Sequence, residues 1–358
     1  MTDLFTQPTT GSANPDNAAY TSDGKPDQYG RYRVPNLTSG RVVPWTRATT
    51  FAKTISDTYT LNMWGRRMVI VGLITRPDLL EEARGLDVRE DRDALNRIAE
   101  KASEAAGSKG AANVGTALHG FTEQADRGEA DLFVPAPWDR DIAAYRASLE
   151  AESIVIVPGM IERLIVCSKH QVAGTFDRII DDTEHPCSVC GKTVKIGDLK
   201  TGADLDYGWL EIAVQLAVYA NADAIWDKEG LKYEEMPDVC RHTAVVMHLP
   251  ANPRDEVNRH TCTIYDLDVE KGWAIAGLCA DVRNARKVRN LATPRRRTVA
   301  VGEPTEVASS GPTILDRIDA ARTVEELSEL WVEGTKSGAW TEAHTQRGLA
   351  RRAAILAG

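Results

Sequence analysis

The sequence predicts an α/β protein: a mixed or antiparallel central sheet flanked by helices, with a helical N-terminal layer and a small helical C-terminal appendage. Three observations carry that prediction. Apolar residues recur at helical spacing before Ser153, short β-branched runs begin there, and helical periods then alternate with strands. Composition agrees: of 358 residues 42% are hydrophobic and 27% charged, which excludes a wholly disordered chain, a disulfide-dense mini-protein and a collagen-like fibre.

Residues 1–40, rich in Thr, Ser, Asn, Asp, Gly and Pro, read as a flexible N-terminal arm. A main domain over 41–291 follows. Phe51, Ile55, Tyr59 and Met63 recur at spacing four, and 68–74 is an apolar stretch of core size. Pro77 can open the next helix, and 79–85, 89–107, 113–125 and 139–150 continue the helical pattern. Short strands are expected at 154–157, 162–166, 172–181 and 193–200, the last two joined by a polar insert with Cys187 and Cys190. A helix over 209–226, strands at 243–249 and 261–267, and a long amphipathic helix over 268–290 complete the domain. Residues 292–312 read as a linker, and 313–358 as a module of two short helices with Trp331 and Trp340 as core anchors.

Lys plus Arg number 43 against 52 Asp plus Glu, a net charge of −9. That argues against indiscriminate coating of nucleic acid but leaves room for a local basic groove. Seven cations (Arg283, Arg286, Lys287, Arg289, Arg295, Arg296 and Arg297) fall in an acid-free stretch. The first four suit either a solvated helix end or phosphate contact, and Arg295, Arg296 and Arg297, in the linker, favour nucleic acid. Six scattered cysteines suggest a reducing cytoplasm rather than a disulfide framework. No apolar run approaches the ~18–20 residues of a membrane helix. The opening MTDLFTQPTTGSANPD lacks the order of a signal peptide.

Four segments carry chemistry. In Ile196-Gly197-Asp198-Leu199-Lys200, alternation along a strand puts the Asp198 carboxylate and the Lys200 ammonium on one face. A carboxylate suits a hard divalent cation and an ammonium suits a water or phosphate oxygen beside it, although a same-face ion pair is the plainer reading. In Gly174-Thr175-Phe176-Asp177, a hairpin would bring Asp177 beside the Asp198 strand, where like charges repel unless a cation lies between them. The plainer alternative pairs Asp177 with Arg178 or Lys200. His119 and Glu123 share a helix face one turn apart, and so do Gln215 and Tyr219.

Taken in this order, His119, Asp177, Asp198/Lys200 and Gln215/Tyr219 resemble the PD-(D/E)XK nuclease superfamily, RecB-like branch, across about 115–220. The helical N-terminal stretch is similar to that of actinobacterial phage exonucleases of this type. The resemblance implies a restriction-endonuclease-like core in which His119, Asp177, Asp198 and the Leu199 carbonyl bind Mg²⁺ or Mn²⁺. It further implies that Lys200 assists the attacking water and that Gln215 and Tyr219 line the DNA path, with Glu162 as an auxiliary acid. The function implied is a metal-dependent deoxyribonuclease, an exonuclease of phage or bacterial recombination or repair. It would work in the cytoplasm (that of the host if phage-encoded) on linear duplex or single-stranded DNA, with a single-strand annealing protein as partner and no membrane. A catalytically silent DNA-binding or scaffold protein of the same fold, a structure-specific endonuclease, and a chance match in another α/β enzyme stay open as alternatives.

Relatives with an iron–sulfur cluster place one Cys before the His helix and three near the C-terminus. Here no Cys precedes Cys167 and none follows Cys279, so no such cluster is expected. The insert His185-Pro186-Cys187-Ser188-Val189-Cys190-Gly191 has the shape of half a zinc knuckle. His185 could supply a third ligand, with Cys167, Cys240, Cys262 or His170 completing the set. Two free thiols in a turn are the alternative. The C-terminal module reads as a packing or docking unit.

Overall fold

A computed structural model of the chain describes residues 26–129, 132–251, 259–293 and 312–357. Packing divides the chain into two units, Met1–Arg289 and Asn290–Gly358.

The first unit opens with a hairpin of β1 (Arg31–Pro35) and β2 (Val42–Arg47). Tyr32, Val34 and Trp45 are buried, and the Trp45 indole donates to the Val34 carbonyl at 3.0 Å. The expected flexible arm therefore already carries sheet from Arg31, because alternation supplies an inward face too short to stand out in a polar stretch. Next come α1 (Ala48–Ala52), a tight turn Lys53–Ile55, α2 (Tyr59–Thr75), α3 (Pro77–Ala83) and α4 (Arg92–Ala105). The spacing-four pattern predicted one helix through 51–63; instead the backbone is extended at Ser56, and Phe51 and Met63 belong to different helices. The 68–74 stretch is core only in part, with Val69 and Leu73 half-buried against Leu79, Ile98 and Ala102. Gly72 alone of α2 is buried, packed so closely on α4 that a Cβ would lie 1.7 Å from the Ala102 carbonyl oxygen, while Ile70, Val71 and Ile74 are exposed.

After α5 (Gly110–Asp126) and α6 (Trp138–Ala151) come β3 (Ile154–Cys167), β4 (Val172–Asp182) and β5 (Val194–Lys200). The expected strands 154–157 and 162–166 are thus one long strand, interrupted in its pairing with β4 between Ile156 and Ile161. Helix α7 (Trp209–Ala220) stops before Trp226, which lies instead on β6 (Ala224–Asp227). Strand β7 (Lys232–Glu235) was not foreseen: a four-residue polar edge strand carries little pattern. The unit closes with β8 (Thr243–His248), β9 (Thr263–Asp268) and α8 (Val269–Ala285), the last capped by Asp268 accepting from the Lys271 N–H at 2.9 Å.

The nine described strands form one mixed sheet in the order β7-β6-β3-β4-β5-β8-β9, with the β1–β2 hairpin attached through β2 to β4. Pairs β2/β4 and β5/β8 are parallel; the other pairs are antiparallel. The two faces of the sheet meet two helical layers. Phe176, Ile179 and Ile196 pack with α1, α7 and α8, whereas Ile180, Leu199, Val245 and Met247 pack with α5 and α6. Among the described residues no helix is long and apolar enough to cross a membrane.

Among its described residues the second unit has three helices where two were expected: α9 (Ile314–Ala320), α10 (Val324–Ser337) and α11 (Glu342–Ala357). Capping boxes at Thr313/Asp316 and Thr323/Glu326 start the first two. Ile318, Ala321, Leu327 and Leu330 form its core with Trp340 against them, but Trp331 is 54% exposed and is no anchor. The linker expected over 292–312 lies almost wholly outside the described residues.

Candidate active site at a fork in the sheet

On one edge, β4 has two successive partners. Val172 and Ala173 pair with β2, and Arg178–Asp181 pair with β5. The β4–β5 ladder stops at Arg178↔Gly197. Asp177 and Asp198 occupy the next register step, where the strands part. Strand β5 leaves because its continuation, Gly197–Lys200, pairs with β8 on its other side. At the mouth of this fork the Asp177 Oδ2 accepts the Leu199 N–H at 2.8 Å, replacing a backbone partner. Within a strand the N–H and C=O of one residue point toward the same neighbour, so the Leu199 carbonyl also faces the gap, while the Lys200 carbonyl, on the opposite side, accepts from Leu249.

Asp198 is fully buried and no well-formed hydrogen bond reaches either of its oxygens, although the Lys200 ammonium is pressed against Oδ2 as an ion pair. Burial pushes the Asp198 carboxyl up to about 6, Lys200 works against that rise, and Asp177 adds to it. Burial disfavours the charge on Lys200, but Asp198 and Asp177 outweigh it and hold the ammonium protonated. Lys200 supplies one positive charge against the two carboxylates of Asp198 and Asp177, so the cluster keeps an excess of negative charge that a further cation would offset.

His119 comes from α5. Gly115, one turn earlier, lies so near the end of β5 that a Cβ would sit 2.6 Å from Thr201 Oγ1. That approach brings His119 Nδ1 to 3.6 Å from Asp177 Oδ2. Burial lowers the imidazole pKa, against the pull of Asp177 and with the help of Lys200, favouring the neutral ring that ligates metals. His119, Thr116 and Thr201 help line an opening of about 360 Å³.

Gln215 and Tyr219 share one face of α7, as expected, and the Gln215 amide donates to the Tyr219 hydroxyl at 3.1 Å. Tyr219 is pressed on β4: at Gly174 a Cβ would meet its Cε1 at 2.8 Å. Burial, then the charges of Asp198 and Asp177, raise the phenol pKa well above its usual range, so the hydroxyl keeps its proton. On the other edge of β4, the pairs Ile161↔Arg178 and Arg163↔Phe176 place Glu162 opposite Asp177 with φ of 53°. Its side chain reaches water, yet local desolvation followed by the charges of Asp177 and Glu123 pushes the carboxyl up. Glu123 pairs with Arg127 at 2.7 Å. These three residues, with Arg163, Thr175 and Lys228, help line a groove of about 550 Å³.

Sequence reading missed the layer beneath. Arg178 does not pair with Asp177, since adjacent strand residues face opposite sides. It is buried on the α5 side, with Nε 2.9 Å from Asp126 Oδ2 and its guanidinium over the Tyr145 ring. Tyr145 donates to the same carboxylate at 2.9 Å. A signal existed: Asp126 follows His119 by two helical turns and so shares its face.

The proposed knuckle is rearranged. His185 turns to Asp182, 3.1 Å from Nδ1, and to Glu152, and is not a partner of the thiols. Cys240 stands with Cys187 and Cys190 instead, whereas Cys167 and Cys262 lie elsewhere and His170 stacks between Phe51 and Trp273. Among the described residues, these three cysteines alone form a group of potential ligand atoms all within 4.8 Å of one another; His119, Asp177 and Asp198 converge more loosely. Arg286 donates to the Thr54 carbonyl at 3.4 Å and Lys287, just past α8, donates to Asn284 in its last turn, so neither is drawn into the fork by these bonds. Arg295, Arg296 and Arg297 lie outside the described residues.

No protein family and no curated protein matches the chain.

Proposed function

We propose that the protein is a Mg²⁺- or Mn²⁺-dependent deoxyribonuclease with a PD-(D/E)XK core, cutting DNA at the fork between β4 and β5. The observation that carries this reading is Asp198, a fully buried carboxylate one register step from the last β4–β5 pair, with a second carboxylate, Asp177, opposite and the single ammonium of Lys200 against it. Asp177, Asp198, the Leu199 carbonyl and His119 form a donor set of hard oxygens and one imidazole, which suits a hard divalent cation and admits Mn²⁺. When bound, such an ion neutralises phosphate charge and makes a water nucleophilic.

The chain's own groups do the rest. Lys200, held protonated, donates to the attacking water or a non-bridging phosphate oxygen as a fixed point charge. Tyr219 keeps its proton, and the Gln215 amide, by donating to that hydroxyl, leaves its O–H free to donate to a phosphate oxygen. Glu162, its carboxyl raised, offers a site for proton exchange in the groove beside Asp177. The exonuclease mode, the place in recombination or repair and an annealing partner rest on the resemblance of the four motifs.

The test is cleavage of end-labelled linear duplex, closed-circular duplex and single strand with Mg²⁺ or Mn²⁺, with Lys200→Met alongside. Linear DNA should be degraded, the circle spared, and turnover of Lys200→Met reduced by at least about 10²-fold with DNA binding retained. Equal cutting by Lys200→Met removes the proposed role of the fork; cutting of the circle replaces exonuclease by endonuclease.

A further inference from the structure

A cluster of three cysteine thiols lies outside the fork. The turn between β4 and β5 is shaped by backbone bonds: Cys187 N–H to the Lys192 carbonyl at 2.9 Å and Gly191 N–H to the Cys187 carbonyl at 2.8 Å, with Gly191 at φ of 73°. A left-handed residue there calls for glycine, and it folds Cys187 and Cys190 toward one another. The segment entering β8 brings the third sulfur, fixed by a Cys240 N–H bond to the Val194 carbonyl at 2.8 Å.

Sulfur spacing suits a tetrahedral ion. The Cys190 and Cys240 Sγ atoms are 3.6 Å apart. That is far beyond the ~2.05 Å of a disulfide. It is close to the edge of about 3.8 Å for a tetrahedron with Zn–S near 2.3 Å. Cys240 Sγ also accepts N–H bonds from His242 at 3.4 Å and Thr243 at 3.3 Å, and Cys187 Sγ accepts from the Thr243 hydroxyl at 3.8 Å. Donors directed at sulfur are what a thiolate ligand requires. Three soft donors favour zinc over magnesium. Cys190 is exposed, so water can reach the ion as a fourth donor.

We propose that Cys187, Cys190 and Cys240 hold a structural zinc ion that fastens the β4–β5 turn to the entry of β8. These are the strands whose opposite ends bear or adjoin the fork, so the ion closes one end of a three-strand unit that is open at the other. The inference stands apart from the nuclease reading, since it uses none of the fork residues.

The experiment uses the full chain, purified under reducing conditions without chelator, together with Cys190→Ser. Elemental analysis should find about one zinc per chain, and clearly less in the variant. Cobalt(II) in place of zinc should give thiolate charge-transfer absorption with tetrahedral d–d bands. In the wild type, alkylation of Cys190 should be slow and should accelerate when a strong chelator is added, with a lower thermal midpoint. Below about a tenth of an equivalent of zinc in folded wild type, the proposal fails. It fails equally if alkylation ignores chelator, if Cys190→Ser keeps full zinc, or if peptide mapping finds a Cys190–Cys240 disulfide. None of these readouts involves DNA, so the nuclease proposal survives or falls independently.

Discussion

Replacing Asp177 separates its two roles. Its Oδ2 accepts the Leu199 N–H at 2.8 Å across the fork, and its charge would help hold the metal. In Asp177→Asn the amide oxygen can still accept that bond, so the fork keeps its strut and loses only the charge. In Asp177→Ala the N–H in the gap loses its partner as well. An unsatisfied buried donor costs about 1–3 kcal/mol. A unit of 289 residues, at roughly 2.1 cal/mol/K per residue, has an unfolding entropy of about 0.6 kcal/mol/K. Asp177→Ala should therefore melt about 2–5 °C below Asp177→Asn in metal-free buffer. Both variants should lose cleavage of labelled linear DNA by at least about 10²–10³-fold. Differential scanning calorimetry and a gel assay read the two effects. Wild-type turnover in Asp177→Asn would refute the fork as a metal site, and equal melting of the two variants would refute the strut.

Three further outcomes follow, two from Asp198 and one from the Arg178–Asp126 pair. The Asp198 carboxyl is raised from 3.8 to about 6, so the folded state holds this proton more tightly than the unfolded chain. The sign is thus opposite to that of an aspartate whose ion pair outweighs its burial, because here burial outweighs the pull of Lys200. As pH rises through that window, metal-free wild type should lose stability relative to Asp198→Asn, and Mn²⁺ affinity should fall as pH drops below about 6; titration calorimetry and melting across pH 4–7 (roughly the linkage window) check both. Arg178→Met strands the buried Asp126 carboxylate and should destabilise by about 3–5 kcal/mol, with much of the loss recovered when Asp126→Leu is added. An additive double variant in denaturant titrations would show that the pair is not coupled.

The local alphabet of this chain could be read along one dimension. The change of period at Ser153, the antiparallel run through β3, β4 and β5, and the placement of Asp198 with Lys200 and Gln215 with Tyr219 on common faces follow from alternation and helical spacing. Those rules involve only near neighbours in sequence. They failed where the answer depends on a distant surface: in 68–74 only Val69, Gly72 and Leu73 meet the α3–α4 side while Ile70, Val71 and Ile74 stay exposed, and Trp340 rather than Trp331 packs on the small C-terminal core.

By itself, then, the sequence determined which chemical groups exist and which face of a strand or helix each occupies. Tertiary structure alone decided that β4 exchanges β2 for β5 along one edge, that the exchange leaves Asp177 and Asp198 at its mouth, and that Arg178 is turned away to Asp126. It alone replaced His185 by Cys240 beside the two knuckle cysteines. The physical reason is the same throughout. Alternation sets a side chain's direction from its own backbone, but whether a charge or thiol pointing that way meets a partner depends on segments tens of residues distant, joined only when the sheet and its two helical layers close.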